Sequence, residues 1–316
     1  MFKIIHAIHE KTGKNSILLF FDIIYCGIVF QAGYYDYQEF EFYHLNNQQR
    51  KTYLTRGKNS KIIHTFNQEK YIHFFENKVE FNEKFANYIH HNWLYLQNDS
   101  ENDFLAFFQK HHHIIAKPLD LSGGKQVEKF DYIDEAQAKE VYQNLIQHKQ
   151  FLVEEYIFQH HEMNRLYDKS VNTLRIFTFI KDGIPYFLQA ILRIGNGNIV
   201  DNFSSGGMYT YLDEQGVAFV EAIDQADNIF YNHPISSTQI VGFQVPMFQE
   251  AIELVKKCAT VIPEVAYVGW DVAITENGPE LIEGNCYPGV FQVKSSLSNI
   301  KEGLLPKYNK ILNTKL

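Results

Sequence analysis

The pattern of apolar positions changes near residue 100. Before that point the apolar residues follow a broken helical periodicity, with helix-like segments around Asp36–Leu45 and Lys78–Trp93. A polar connector over residues 97–103 then supplies loop and helix-capping residues. We therefore predict a mostly helical N-terminal section, residues 1–95, followed by a mixed region over residues 96–316.

The mixed region alternates short apolar runs with glycine-bearing loops. Two long runs separated by Lys-Asp-Gly-Ile-Pro indicate an antiparallel hairpin. This order favours an α+β fold class with a smaller lobe at about 111–157 and a larger lobe at about 158–316. The predicted strands are Ile114–Pro118, Phe151–Ile157, Thr173–Ile180, Tyr186–Ile194, Tyr267–Thr275 and Glu280–Asn285, and the predicted helices are Glu135–His148 and about Pro246–Thr260.

The last predicted hairpin carries three oxygen-bearing side chains, Asp271, Glu283 and Asn285. Carboxylate and amide oxygens suit Mg²⁺, a hard cation that often bridges one or two protein carboxylates to nucleotide phosphates. The hairpin is therefore a candidate magnesium site. The alternative is an exposed hairpin edge that carries ordinary acids.

The length of the hairpin loop decides whether these three side chains meet. Side chains alternate along a strand, so Glu283 and Asn285 share a face, while Asp271 joins them only if the register places it opposite Glu283. A three-residue turn, Glu276-Asn277-Gly278, gives that register. A two-residue turn would put Asp271 and Glu283 on opposite faces, so we expect the three-residue turn.

A lysine and a glycine-rich loop follow the first predicted strand. Lys117 ends that strand, and the loop of Ser122, Gly123, Gly124 and Lys125 can bring backbone N–H groups close to phosphate oxygens. The spacing is not that of a Walker A loop. Taken alone, this segment is also consistent with a plain turn.

The strand that ends in two acids could form an adenine-binding hinge. Backbone groups of Glu154, Glu155, Tyr156 and Ile157 would pair with the base, and Glu162 is our candidate for accepting hydrogen bonds from the ribose hydroxyls.

Two arginines lie in the apolar runs of the central hairpin. Arg175 and Arg193 are costly to bury without an anionic partner, so both are candidates to hold a transferred phosphate or a carboxylate. A structural salt bridge is the alternative for each of them.

A polar loop close to Arg193 in sequence is a candidate lining for the acceptor site, although a connecting loop would explain it almost as well. The candidate substrate-binding residues are Asn172, Asp201, Asn202, Ser205 and Gly206.

Composition excludes several classes of protein. A hydrophobic content of 45% can supply a large core, which rules out a disordered chain, and the net charge of −8 argues against nucleic-acid binding. The three cysteines give neither a disulfide framework nor a zinc spacing, so we expect a cytoplasmic protein. Adjacent histidines such as His160-His161 point in different directions in regular structure, so we expect them to be structural.

The apolar segment Ile17–Phe30 is interrupted by Asp22 and is shorter than the roughly 20 residues that a membrane-spanning helix needs. We therefore expect no transmembrane segment and interpret it as a buried helix. A helix that faces a membrane surface or a partner is the alternative.

Taken in order, these motifs resemble the ATP-grasp superfamily, and the sugar-transfer-associated ATP-grasp group is the branch they resemble most. The resemblance covers roughly residues 78–289. Its motifs are Asn77-Lys78, Lys117-Pro118, Ser122-Gly123-Gly124-Lys125, Glu154-Glu155, Asn172-Thr173-Leu174-Arg175, Leu192-Arg193, Asp201-Asn202 with Gly206-Gly207, Gly269-Trp270-Asp271 and Ile282-Glu283-Gly284-Asn285.

The resemblance implies an ATP-grasp fold, in which two α+β lobes clasp ATP, and it implies roles for individual residues. Lys78 and Lys117 resemble the phosphate-binding lysines, and the loop from Ser122 to Lys125 resembles the mobile lid over the phosphates. Glu154-Glu155 resembles the adenine hinge. The magnesium ligands would be Asp271, Glu283 and Asn285.

The resemblance also implies a reaction. ATP would phosphorylate a carboxylate to an acyl phosphate, which an amine then attacks to form an amide. The branch name suggests a uronic acid or an amino acid used in surface-polysaccharide assembly, in association with other enzymes of that assembly. Two alternatives stay open: a kinase acting on a non-carboxylate acceptor, and a non-catalytic nucleotide-binding partner of a glycosyltransferase complex.

Overall fold

The computed structural model describes residues 1–119, 127–198, 201, 203 and 206–313. The helices of this part are α1 Phe2–Thr12, α2 Ser16–Phe30, α3 Tyr34–Glu39, α4 Asn47–Arg50, α5 Arg56–Phe66, α6 Glu69–Glu76, α7 Lys78–Lys84, α8 Glu101–His111, α9 Glu135–Gln147, α10 His161–Leu166, α11 Phe248–Ala259, α12 Ser295–Ser298 and α13 Leu305–Leu312. The strands are β1 Trp93–Tyr95, β2 His113–Lys117, β3 Glu128–Asp131, β4 Leu152–Glu155, β5 Thr173–Lys181, β6 Ile184–Ile194, β7 Met208–Tyr211, β8 Ala222–Asp224, β9 Ile229–Phe230, β10 Tyr267–Thr275 and β11 Gly278–Asn285.

The strands form two antiparallel sheets. The smaller sheet has the order β1-β4-β2-β3, and the larger has the order β11-β10-β5-β6-β7-β8-β9. Helices and antiparallel sheets are thus combined in two lobes, which confirms the predicted α+β class. The first 95 residues are mostly helical, as the broken periodicity indicated.

The small sheet has a hydrophobic core of its own, in which Phe104 and Phe108 of α8 pack with Ala138 of α9 and Val153 of β4. The small lobe therefore begins at β1 and α8, not at about residue 111 as the sequence suggested. The reason is that β1, which lies before residue 111, pairs with β4 and so belongs to the small sheet.

The N-terminal helices share a core with the large sheet. Phe75 and Phe85 pack against the indole of Trp270 on β10, with ring centroids 5.9 and 5.5 Å away. Trp270 is fully buried, and its indole N–H donates to the hydroxyl of Thr178 on β5 at 2.8 Å. The helical section is therefore packed directly behind the strand that carries Asp271.

Helix α2 is only half buried, which corrects the interpretation of Ile17–Phe30 as a buried helix. Leu19, Ile23 and Cys26 face the core, whereas the opposite side is open to solvent. Its buried side packs mainly against α1 and α3, and Arg50 and Asn47 of α4 donate hydrogen bonds to Asp22 and Tyr25. In the part of the chain that the structure describes, no helix has the length and apolar character to cross a membrane.

Candidate active site

Asp271 on β10 lies directly opposite Glu283 on β11, which is the register that a shared metal site requires. The expected three-residue turn is nevertheless wrong. Thr275 pairs with Gly278, so the turn has two residues, Glu276 and Asn277.

A β-bulge restores the alignment. Val272 pairs with Leu281 while Asp271 pairs with Glu283, so Ile282 is an extra residue in β11. Because one inserted residue reverses the side-chain alternation beyond it, Glu283 moves to the face that Asp271 occupies. Asn285, opposite Gly269, lies on the same face.

The carboxylate of Asp271 is held by two arginines from the central hairpin. Arg175 lies opposite Asp271 across β10 and β5, and its Nε and Nη2 both donate to the carboxylate, the latter at 2.8 Å. Arg193 on β6 donates to the same group at 2.9 Å. Gly269 leaves room for this arrangement, since a Cβ there would stand 3.1 Å from Cδ of Arg175.

The two facing acids have opposite electrostatic environments. Burial alone would raise the pKa of Asp271, but Arg175 and Arg193 lower it below its usual range. Burial and the neighbouring Asp271 carboxylate raise the pKa of Glu283. The two facing carboxylates repel each other when both are charged. A divalent cation bound between them would offset this repulsion and favour the charged form of Glu283.

The polar face opens into a cavity of about 690 Å³ between the two lobes. Its lining includes Lys78 and Lys117, which the sequence assigned to phosphates, Glu154 of the predicted hinge, and two of the three predicted metal ligands, Glu283 and Asn285. Asp271 is not part of this lining and is held by Arg175 and Arg193. Ile282, the bulge residue, also lines this cavity. The structure thus brings together residues from α7, both sheets and the hinge strand, which are spread over more than 200 positions of sequence.

Lys117 and Glu154 form an ion pair on the small sheet. Ile115 is the cross-strand partner of Glu154, and Lys117 lies two residues further along β2, so both side chains project from the same face. Burial would raise the pKa of Glu154, but Lys117 and His91 hold it well below its usual range. Lys78, at the start of α7, donates to the carbonyl of Leu119 at 3.1 Å.

His91, expected like the other adjacent histidines to be structural, is buried between carboxylates of the two lobes. Its Nδ1 lies 2.8 Å from Glu280 on β11, and its Nε2 lies 3.8 Å from Glu154 on β4. Burial alone would lower the pKa of His91, but these two carboxylates raise it to about 9. The imidazolium thus links the two lobes. The sequence held no usable signal, because neither acid is near His91 along the chain.

Three hinge residues line a second cavity of about 910 Å³, namely Glu155, Tyr156 and Ile157. His91 and Glu280 line it as well. Glu154 belongs to the first cavity, and the hinge therefore separates the two spaces.

A model of the family described as sugar-transfer associated ATP-grasp matches residues 57–312 of this chain. The chain belongs to the sugar-transfer associated ATP-grasp family. This membership confirms the ATP-grasp fold, and it implies that the protein binds ATP. No curated protein matches the chain.

Solved structures with a similar fold include a synthetase, a ligase and a synthase. D-alanyl-alanine synthetase A from Vibrio cholerae O1 biovar eltor shares 13% identity over 77% of this chain and 61% of its own, with a TM-score of 0.44. D-alanine–D-alanine ligase from Bacillus anthracis shares 12% over 81% and 74%, at 0.44. N5-carboxyaminoimidazole synthase from Aspergillus clavatus shares 9% over 81% and 57%, at 0.47.

Glu162 and Asp201, two predicted site residues of this ATP-grasp protein, pair with other side chains of the protein. Glu162, proposed for the ribose, lies outside the lining of both cavities and accepts a hydrogen bond from exposed Arg165 at 2.5 Å. Asp201 accepts from the backbone N–H of Thr173 at 3.0 Å and pairs with Arg193 at 3.0 Å. It therefore positions Arg193.

Asn172 has a structural role, which corrects its assignment to the substrate. It has no exposed surface, and its amide donates to the carbonyls of Met163 and Tyr167 at 3.0 and 2.8 Å. Its Oδ1 accepts from the N–H of Gly195 at 3.0 Å. With its polar atoms engaged by the protein, Asn172 ties the start of β5 to α10 and to the end of β6.

The remaining candidates belong to two loops. Gly206 adopts a φ of +94°, which glycine tolerates best, and precedes β7. Asn202 and Ser205 lie outside the described residues, and the same holds for the glycine-rich loop of Ser122, Gly123, Gly124 and Lys125.

His160 and His161 lie together, contrary to the expectation for adjacent histidines. Their rings stack with centroids 4.3 Å apart, and both approach Glu276. The backbone N–H of Glu162 donates to Nδ1 of His160, so Nε2 carries the proton and faces Glu276 as a donor. The backbone N–H of His161 donates to Glu276 at 2.8 Å, which ties the start of α10 to the turn between β10 and β11.

Proposed function

We propose that this protein is a Mg-ATP-dependent carboxylate–amine ligase that forms an amide through an acyl-phosphate intermediate. The observation that carries the proposal is the row of Arg175, Asp271 and Glu283 across three neighbouring strands, with Arg193 beside it. This row places two carboxylates that can bind a cation beside two guanidinium groups, on one face of the sheet. Lys78 and Lys117 line the same cavity as Glu283.

The donor set fits magnesium. Asp271, Glu283 and Asn285 offer two carboxylates and an amide oxygen on one face, and the raised pKa of Glu283 reflects like charge that a divalent cation would offset. When bound, the ion would neutralise charge on the ATP phosphates. These three residues would hold it.

The cationic side chains would act on ATP and on the transferred group. Lys78 and Lys117 would bind phosphate oxygens, and Lys117 would exchange its pairing with Glu154 for a phosphate. Arg193, kept in place by Asp201 and Asp271, would stabilise negative charge that develops on the transferred phosphoryl group and on the tetrahedral intermediate. Arg175 would support it from β5.

The reaction would proceed in two displacements. A carboxylate oxygen of the substrate attacks the γ-phosphorus, and the bond from that phosphorus to ADP breaks. The amine nitrogen then attacks the acyl carbon, the bond to phosphate breaks, inorganic phosphate leaves with the electron pair, and the nitrogen loses a proton. The protein contributes mainly positioning and charge stabilisation.

The substrate class rests on the family description. Its association with sugar transfer supports a uronic acid or an amino acid of surface-polysaccharide biosynthesis as the carboxylate, and an association with polysaccharide-assembly enzymes.

The experiment measures Mg²⁺-dependent release of ADP from ATP with pooled uronic acids and amino acids and small amines, for the native chain and for Glu283→Gln. ADP release that needs both a carboxylate and an amine, and that Glu283→Gln abolishes, supports the ligase. ADP release that needs only a hydroxyl acceptor would identify a kinase. Tight ATP binding by both proteins with no release in any pool would favour a binding protein.

A further inference from the structure

The outer side of α2 exposes an apolar surface that the site does not use. Ile17, Leu18, Phe21 and Ile28 have 67%, 70%, 62% and 78% of their surface open. Positions 17, 21, 24 and 28 follow the spacing i, i+4, i+7, i+11, so they form one stripe, with Leu18, Tyr25 and Val29 along its side. We call these seven residues the α2 face.

The α2 face carries no charge. Asp22 is the only ionisable acid or base among residues 16–30 apart from Tyr25 and Cys26, and its carboxylate is turned towards the protein. It accepts hydrogen bonds from Arg50 at 2.7 and 2.8 Å and from the hydroxyl of Tyr37 at 2.6 Å. The carboxylate of Asp22, the charged group of α2, therefore points away from the outer side of the helix.

Positive charge lies next to the α2 face. The ring of Phe2, itself 75% exposed, stacks on Phe20 at 6.2 Å, which places the start of α1 beside α2. The charged side chains of α1 and of the turn that follows it are Lys3, Glu10, Lys11 and Lys14, all on exposed residues. Lys11 also pairs with Glu41 at 3.8 Å, and the ammonium of Lys14 donates to the carbonyl of Tyr43. This segment still carries three lysines and one glutamate, in contrast to the net charge of −8 for the whole chain.

We infer that α2 lies on the surface of an anionic lipid bilayer. An apolar stripe beside a basic rim matches acyl chains and acidic headgroups, respectively. A protein partner of this area would be expected to meet polar groups, because protein interfaces make about one hydrogen bond per 100–200 Å². The α2 face offers only the hydroxyl of Tyr25, and that hydroxyl already accepts from Asn47 at 3.1 Å.

The length of α2 sets the geometry of the contact. Fifteen residues span about 22 Å, which is less than the roughly 30 Å of a hydrocarbon core. The helix therefore lies in the plane of the interface, with the body of the protein on the water side. This inference does not depend on the proposed ligase activity.

The test is flotation of the 316-residue chain with vesicles of phosphatidylcholine alone and of phosphatidylcholine with phosphatidylglycerol. We expect binding to the anionic vesicles, and we expect Ile28→Asp to weaken it by at least about tenfold. The matched control is Ile133→Asp, because Ile133 is 75% exposed but lies on the small lobe. Lys3→Gln should weaken binding by about fivefold.

Three results would overturn the inference. One is failure to bind either kind of vesicle by a chain whose far-ultraviolet circular dichroism and ATP binding show that it is folded. The second is a concentration-dependent dimer in sedimentation that Ile28→Asp dissociates, with no vesicle binding, which would identify a second copy as the occupant. Equal loss of vesicle binding in Ile133→Asp and Ile28→Asp would also contradict it.

Discussion

Asp271 and Glu283 face each other because β11 contains one residue more than the strand opposite. The extra residue is Ile282, and its effect is to reverse the alternation of side chains between Leu281 and Glu283. The Asp271–Glu283 pair thus depends on a local irregularity of the backbone, which makes it open to a direct test.

Deletion of Ile282 should keep the two acids together. Glu283 would then follow Leu281 directly and stand opposite Asp271 in a regular ladder, so we expect Mg²⁺-dependent nucleotide binding to stay within about threefold of the native chain. Glu283→Ala removes one acid and should weaken this binding by about 10- to 100-fold. Isothermal titration calorimetry with ATP, with and without Mg²⁺, measures both, and equal weakening in the two variants would contradict the proposal.

Removal of Arg175 should lower the stability of the fold. Arg175→Met leaves the carboxylate of Asp271, which is 3% exposed, with Arg193 as its remaining cationic partner. We expect the free energy of unfolding in urea to fall by about 3 kcal/mol, as for a broken buried ion pair. Arg165→Met, which breaks the exposed pair with Glu162, should cost less than about 1 kcal/mol. Equal costs would mean that Asp271 is not effectively buried.

His91 should make stability depend on pH. The pKa of His91 is about 9 in the folded protein and about 6.5 in the unfolded chain, so the charged ring stabilises the fold fully below pH 6.5. That contribution is lost as the pH rises through 9, and its full size is about 3 kcal/mol. Urea unfolding at a series of pH values should show the decline in the native chain. His91→Gln should flatten it, whereas a parallel decline in this variant would exclude His91 as its source.

Replacement of Asn172 separates a structural role from substrate binding. Asn172→Ala leaves the carbonyls of Met163 and Tyr167 and the N–H of Gly195 without this partner, so we expect unfolding to become easier by about 3 kcal/mol. Once a substrate is known, its KM should stay unchanged. The exposed Asn144→Ala in α9 should alter stability little. A raised KM without loss of stability would restore the assignment to the substrate.

Many features of the fold and of the candidate site could be predicted from the sequence because they are local. Alternation along a strand and the chemistry of carboxylates pointed to Asp271, Glu283 and Asn285, and the ordered motifs indicated the ATP-grasp fold that the family match confirms. The hairpin of β5 and β6 was predicted from two apolar runs and a turn between them. Such features depend on neighbours within a few residues, which a chain displays directly.

Only the tertiary structure decided the partners of these residues. The ring of His91 between Glu154 and Glu280 and the exposed side of α2 depend on contacts between segments far apart in sequence. The insertion of Ile282 depends on how β10 and β11 pair. The sequence of an apolar helix has the same hydropathy whether one side or both sides are buried, because hydropathy depends on the side chains themselves and not on what packs against them. The sequence by itself therefore determined which residues are available for chemistry, and the packing of the two lobes determined which of them meet.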